Sequence, residues 1–299
     1  MFIPIYIIFA VMIVLAVVQW LWIIVGILKS SPRRRQHRLI KLNLPILPYG
    51  LWIILFTIVP IGMIVFYAVT GGGLGDIFNN FDVILRSLMV SFLTTIFCIL
   101  FGFPFAYFLS RMSERAQNNC VLLITLPMWT SLLLRTYAWK AILNNNGFLN
   151  NILAAIGLPR LTIIGTTGAV IFGMVCDFIP FAILPMWTAM KKIDENIIGA
   201  ARDLGADGKN LLFRVIIPLA MPGIFSAIIM VFAPSVSTLG FNSLLGLNKH
   251  MLVGDLIEKR FLESNGAGSA LALVLTLLLL IILYIMNKFD SETVEATLT

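Results

Sequence analysis

Long apolar runs alternate with short polar linkers along this chain. Runs of spanning length fall at about 2–28, 46–70, 86–110, 120–143, 163–190, 215–240 and 267–287. A helix needs roughly 20 consecutive apolar residues to cross a hydrocarbon core. Backbone groups at that depth must be satisfied within the segment, so the pattern predicts helices throughout and no strands. Prolines interrupt several runs (Pro60, Pro104, Pro127, Pro180, Pro185 and Pro222). Such breaks are tolerated where neighbouring helices re-satisfy the freed groups. No internal repeat or low-complexity segment is evident.

The linker at about 191–215 departs from the pattern. Ile197, Ala200, Ala201 and Leu204 recur at helical spacing and make a narrow apolar face. Asp194 is placed to cap the start of this short helix and Gly205 to end it; Asp207 is placed to cap a second helix running through Leu211, Phe213 and Val215 into the next span. The product is a helix–glycine turn–helix at the membrane surface. Side chains this small let another backbone approach closely, which suits insertion into a cleft of a partner protein. A surface-lying connector that touches only headgroups fits the same spacing.

Composition agrees with the membrane class. Of 299 residues, 60% are hydrophobic and 12% charged, and the mean hydropathy is +0.99; a soluble domain needs far more polar surface. The net charge of +7 bears on orientation. Lys29, Arg33, Arg34, Arg35, Arg38 and Lys41 follow the first run; Arg111, Arg115, Lys191, Lys192, Arg202, Lys209 and Arg214 occupy alternate later linkers, and Lys288 follows the last run. The opposite loops hold only Arg160, Lys249, Lys259 and Arg260. The excess of positive charge marks the cytoplasmic side, which puts the N-terminus outside and the C-terminus inside. The first run is expected to be an uncleaved anchor, because it lacks a basic n-region and a small-x-small site before the basic cluster; a cleaved signal peptide is the alternative. The organisation expected is an extra N-terminal helix with an Arg-rich linker (1–42), a six-span core (43–290) and an acidic cytoplasmic tail (291–299).

Other chemistries find little support. "DLGADGKN" ends in Gly-Lys, but Asn210 follows Lys209 and Asp203 stands where a phosphate-cradling loop needs glycine, so nucleotide binding by this chain is not expected. His37 and His250 are far apart, and Cys98, Cys120 and Cys176 show no ligand spacing; no metal and no cofactor are expected.

The 199–218 stretch resembles the EAA loop of ABC-transporter permease subunits: Glu-Ala-Ala, three residues, Gly, nine residues, Ile, one residue, Leu-Pro. Ala200, Ala201, Gly205 and Pro218 fall in register, with Val215 and Ile217 at the aliphatic positions. The leading acid is replaced by Gly199, which leaves Asp203 or Glu195 as stand-ins for its anchoring role. The resemblance covers about 46–290. "FGFPFAYFLSR", "PMWTSLLLRTYAWKAIL", "AARDLGADGKNLLFRVIIPLAMPGI" and "MLVGDLIEKRFL" are similar to the spermidine/putrescine importer type. It implies an all-α integral membrane fold, the six-helix core of a type I ABC importer permease, preceded here by one extra helix. It further implies a non-catalytic subunit in the inner membrane that works with a second permease, a pair of ATPase subunits, an extracytoplasmic substrate-binding protein and a small cationic substrate. Gly199, Ala200, Ala201, Asp203, Gly205 and Pro218 are the implied ATPase-coupling residues. No nucleic acid is implied; lipid surrounds the spans.

Asp177 sits mid-span beside Pro180, and Arg135 lies in the preceding span. A carboxylate at that depth is costly unless it faces a partner or water. Either Asp177 lines the substrate pathway, with Trp129, Arg135 and Tyr137 nearby and Phe178 and Phe181 as further cation–π faces, or it pairs with Arg135 and fixes helix packing. Trp129, Tyr137 and Trp139 also fit an interfacial belt. A secondary transporter is the rival class and would carry its coupling ion on intramembrane acids, of which only Asp177 is a good candidate; the pair of broken helices in matching halves expected of that class is not evident in the sequence. Metal ions, anions or thiamine are the alternative substrates. A lipid-modifying enzyme would need clustered His, Asp or Glu at the interface, which the sequence lacks.

Overall fold

Proline placement decides where the spans bend, and the computed structural model, which describes residues 52–71, 75, 80–247, 249 and 251–298, shows which prolines do so. The first apolar run and the Arg-rich linker lie outside the described residues. Within them every regular element is helical: α1 (Ile54–Thr70), α2 (Phe81–Ser110), α3 (Glu114–Trp129, its last turn 3-10), α4 (Leu132–Leu143), α5 (Phe148–Ala155), α6 (Thr167–Lys191), α7 (Glu195–Asp203), α8 (Gly208–Val236), α9 (Phe241–Leu244), α10 (Val253–Glu263) and α11 (Asn265–Leu298).

Among the described residues α2, α6, α8 and α11 are long and apolar enough to cross a membrane. The run at 120–143 is not one straight span. Its chain rises through α3, passes Pro127 and Trp129, and turns by 93° into α4 and α5. Pro127 opens the 3-10 turn that ends α3, and Thr130 and Ser131 follow it in extended conformation. By contrast, α6 continues through Pro180 and Pro185, and α8 through Pro222 and Pro234.

Two further prolines sit just past π turns. In α1 the amide of Val59 donates to the carbonyl of Ile54, and Pro60 follows. In α8 the amide of Ile217 donates to Leu212, and Pro218 follows. A proline ring collides with the carbonyl four residues back in a regular helix, and one wider turn removes that collision without ending the helix.

The helix α6 is the hub: 56% of its most apolar stretch is buried, against 22% for α11 at the periphery. It packs between α2 and α8 around Cys98, Ala106, Met174, Met186, Ala220 and Val231. Gly223 sets the α6–α8 spacing. A Cβ there would collide with Ala189 and lie 2.8 Å from the Pro185 carbonyl oxygen. Small residues at such crossings let helices approach closely in lipid, where packing rather than water drives association. On the far side α1 packs against α11, with Gly71 and Gly266 in backbone contact.

Candidate functional site

Among the described residues, the polar chemistry that the sequence singled out falls at the bend in the broken span and at α7. At the bend, Arg135 sits in the first turn of α4 with its Nε 2.9 Å from Oδ1 of Asp177 on α6. Its Nη1 donates to the carbonyl of Pro127, 3.1 Å away, at the end of α3. One side chain thus ties both arms of the bend to the hub helix. The Asp177 side chain is 1% exposed and that of Arg135 17%. Neither Asp177 oxygen receives an aligned hydrogen bond, although the Thr136 hydroxyl, which donates to the Leu132 carbonyl, is close to the carboxylate; the Arg135 pairing is a close charge contact.

The structure therefore brings Asp177 and Arg135 together and sorts the aromatics around them. Trp129 and Tyr137 are exposed, at 79% and 55%. Phe178 is buried and packs on Phe181 and Phe241, so it belongs to the core rather than to an open ammonium-binding face. Trp139 is half-buried, edge-on to Phe172 at 5.1 Å.

At the second place, local chemistry builds the loop as its spacing predicts. Asp194 accepts from the amide of Asn196 at 2.9 Å, and Asp207 accepts from the amide of Asn210 at 2.8 Å. Between the caps Gly205 adopts φ +84°, a conformation that only glycine takes without strain. The amide of Gly205 donates to Arg202 and that of Ala206 to Ala201, the paired bonds of a Schellman ending.

The predicted apolar face is divided. Ile197 and Leu204 are 46% and 89% exposed and Ala200 is exposed with them. Ala201 instead turns inward with Ile198 onto Ile193, Leu211, Ile216 and Tyr107. Ile198 is the anchor that spacing alone did not single out. The opposite face carries Glu195, Ile198, Gly199 and Arg202, which line a cleft with Tyr107 and Arg111 from the end of α2. Of the two stand-ins for the missing acid, Glu195 lies in this cleft beside Gly199, while Asp203 is exposed outside it. Pro218 follows the π turn of α8. Among the described residues no cluster of three metal-ligating side chains occurs.

No protein-family model matches the chain. It is similar to the spermidine/putrescine transport system permease protein PotB of Haemophilus influenzae, at 35% identity over 266 residues, covering 82% of this chain and 93% of that protein. PotB of Escherichia coli is 33% identical over 210 residues, covering 68% and 76%. The chain belongs to the PotB-type family of ABC-transporter permeases. The permease also shares its fold with a chain of a bacterial alginate ABC transporter solved with its periplasmic protein, at a TM-score of 0.69 and 17% identity, over 82% of this chain and 92% of that one. As a member of this family it is a multi-pass permease subunit of the inner membrane, and the rival reading as a secondary transporter falls away.

Proposed function

We propose that this permease passes polyamines of the spermidine and putrescine class inward, using ATP hydrolysed on a partner subunit that grips α7. The observation that carries the substrate reading is the 35% identity to a spermidine/putrescine permease over most of both chains. The buried carboxylate of Asp177 is the chemistry an ammonium group needs at membrane depth. Trp129 and Tyr137, on the two arms of the bend, expose rings that could take a cation–π contact.

In this reading, closure of an ATPase pair pulls on α7, whose cap-to-cap geometry makes it a rigid handle. Ile198 transmits the pull to the Ile193–Leu211–Ile216 cluster and so to α6 and α8, which flank the loop. Asp177 rides on α6, and the same motion changes its relation to Arg135. A second permease and an extracytoplasmic binding protein complete the assembly. The excess of basic residues in alternate linkers supports a cytoplasmic α7, with the N-terminus outside and the C-terminus inside.

The test is uptake of labelled spermidine and putrescine into proteoliposomes holding the permease with its co-purified partners. ATP-dependent uptake, competed by unlabelled polyamine and not by thiamine or divalent metal, is the expected result. Transport driven by an ion gradient without ATP, or ATP-driven uptake of another substrate only, would refute the assignment.

A further inference from the structure

We infer that the cleft between the end of α2 and α7 receives an acidic side chain from the ATPase subunit, with the Arg111 guanidinium as its counter-ion. This rests on the reading of α7 as the helix an ATPase grips, and it names the group that is received. Four of the cleft's residues, Glu195, Ile198, Gly199 and Arg202, are spaced along one face of α7; Tyr107 and Arg111 form the other side, and the half-open cleft has a volume of about 360 Å³.

Charge and hydrogen bonding both point to an anion. The lining carries two guanidinium groups against one carboxylate. Arg111 lies over the Tyr107 ring, 5.7 Å from its centroid, so the ring occupies its face and leaves its N–H edge for an acceptor. That edge is unused: Nε and Nη2 are buried and donate to nothing. Glu195 lines the same cleft but does not supply the acceptor, since neither buried donor of Arg111 has a partner. A guanidinium whose donors are withdrawn from water without a partner is a standing cost. A carboxylate relieves it with matched fork geometry.

Space is provided where the acid must pass. A Cβ at Gly199 would meet no atom within 4 Å, so a side chain from another subunit can lie across the backbone of α7 there. A protein source fits better than a lipid phosphate. The opposite face of the same helix exposes Ile197 and Leu204, an apolar surface that a docking protein covers and a headgroup does not. This permease thus takes its anchoring acid from the partner, and the open position at Gly199 is what admits it.

The experiment uses the full complex, purified through a tag on this chain, with membrane yield of each variant measured alongside. Arg111→Gln is expected to lower the ATPase retained per permease by roughly tenfold or more, as truncation of a buried charge pair does. Gly199→Glu is expected to do the same by supplying an internal acid that occupies the cleft. Arg111→Lys keeps the charge and most of the retention, and its amine becomes a target for carbodiimide coupling. The expected product is an amide joining that lysine to an Asp or Glu of the ATPase, located by tandem mass spectrometry. Coupling to Glu195 instead, or retention unchanged in both Arg111→Gln and Gly199→Glu, would overturn the inference. So would loss of bound phospholipid from Arg111→Gln with ATPase retention intact, which would assign the cleft to a headgroup. Leu204→Asp separates the two readings. If it leaves ATPase retention intact, the docking role of α7 fails; if it abolishes retention while Arg111→Gln does not, only the role of the cleft fails. Should Arg111→Gln not reach the membrane, Gly199→Glu and the cross-link of Arg111→Lys decide the matter.

Discussion

Arg135 and Asp177 meet at 2.9 Å across the α4–α6 contact, and the same arginine holds the Pro127 carbonyl at the bend of the broken span. Removing either charge therefore has a structural and a functional consequence, and the two can be separated. Asp177→Asn leaves a mostly buried arginine without its counter-ion, a loss on the order of 3 kcal/mol, the low end for a broken buried pair because Arg135 keeps some exposure. Folded yield and unfolding temperature in detergent are expected to fall. Asp177→Asn with Arg135→Gln should recover yield without restoring polyamine affinity. If the double variant transports with normal affinity, Asp177 is a packing residue only.

The bend makes a separate prediction. Arg135→Lys preserves the charge facing Asp177 but loses the planar fork that reaches two acceptors at once. Yield is expected to stay near normal while transport slows, because the α3 arm is no longer tied to α6. Spin labels on α3 and α6 should report a broader distance distribution than in the parent protein. An unchanged distribution would show that packing alone fixes the bend.

Sequence and structure agree where local chemistry dominates. The caps at Asp194 and Asp207, the αL turn at Gly205 and the apolar runs of α2, α6, α8 and α11 all follow from neighbouring residues, and all were readable in the chain. Asp177 was readable because a mid-span acid is expensive wherever it lies, and Arg135 because it is a cation in the preceding apolar run. The 93° turn was not, since six prolines looked alike. Pro127 and Pro185 even open the same text, Pro-Met-Trp-Thr, and Thr130 and Thr188 bond the two proline oxygens alike, at 2.7 and 2.8 Å, so local chemistry does not tell the bend from the continuous helix. The cleft at Arg111 was also hidden, because Tyr107 and Gly199 are brought together only by the packing of α2 on the loop. The inward turn of Ala201 has the same origin: one helical face had to bury Ile198.

The division of α7 into two faces predicts different outcomes for adjacent alanines. Ala200→Glu places a charge on the exposed face and is expected to abolish substrate-stimulated ATP hydrolysis while permease yield is retained. Ala201→Glu drives a charge into the Ile193–Leu211–Ile216 cluster, and is expected to lower yield as well. Equal behaviour of the two variants in both assays would contradict the orientation of the helix.

Gly205 should tolerate no branched side chain. At φ +84° an L-residue pays about 1–2 kcal/mol, enough to shift a nine-residue helix end that has few tertiary contacts of its own. Gly205→Val is expected to assemble poorly with the ATPase, whereas Gly205→Asn, which adopts this conformation more readily, should retain most coupling. ATPase activity with and without substrate, measured on both variants, checks the ordering.

The crossing of α6 and α8 gives the last prediction, and it concerns the path by which α7 acts on Asp177. At Gly223 an added methyl meets the Ala189 side chain and, 2.8 Å away, the Pro185 carbonyl oxygen. The first obstacle is a side chain and can be removed; the second is backbone and cannot. Gly223→Ala is thus expected to destabilise by about 1–3 kcal/mol, as overpacking usually does. Adding Ala189→Gly should return only part of that loss. Because α8 leads directly from the loop and α6 carries Asp177, forcing the pair apart should also weaken coupling. Basal ATP hydrolysis is expected to persist in Gly223→Ala while stimulation by substrate declines. Thermal unfolding in detergent and hydrolysis in proteoliposomes test the two halves separately. Full recovery of stability in the double variant would mean that the Pro185 backbone yields, and that the crossing is softer than its geometry indicates. Normal stimulation in the single variant would mean that motion reaches Asp177 by another route, through α2.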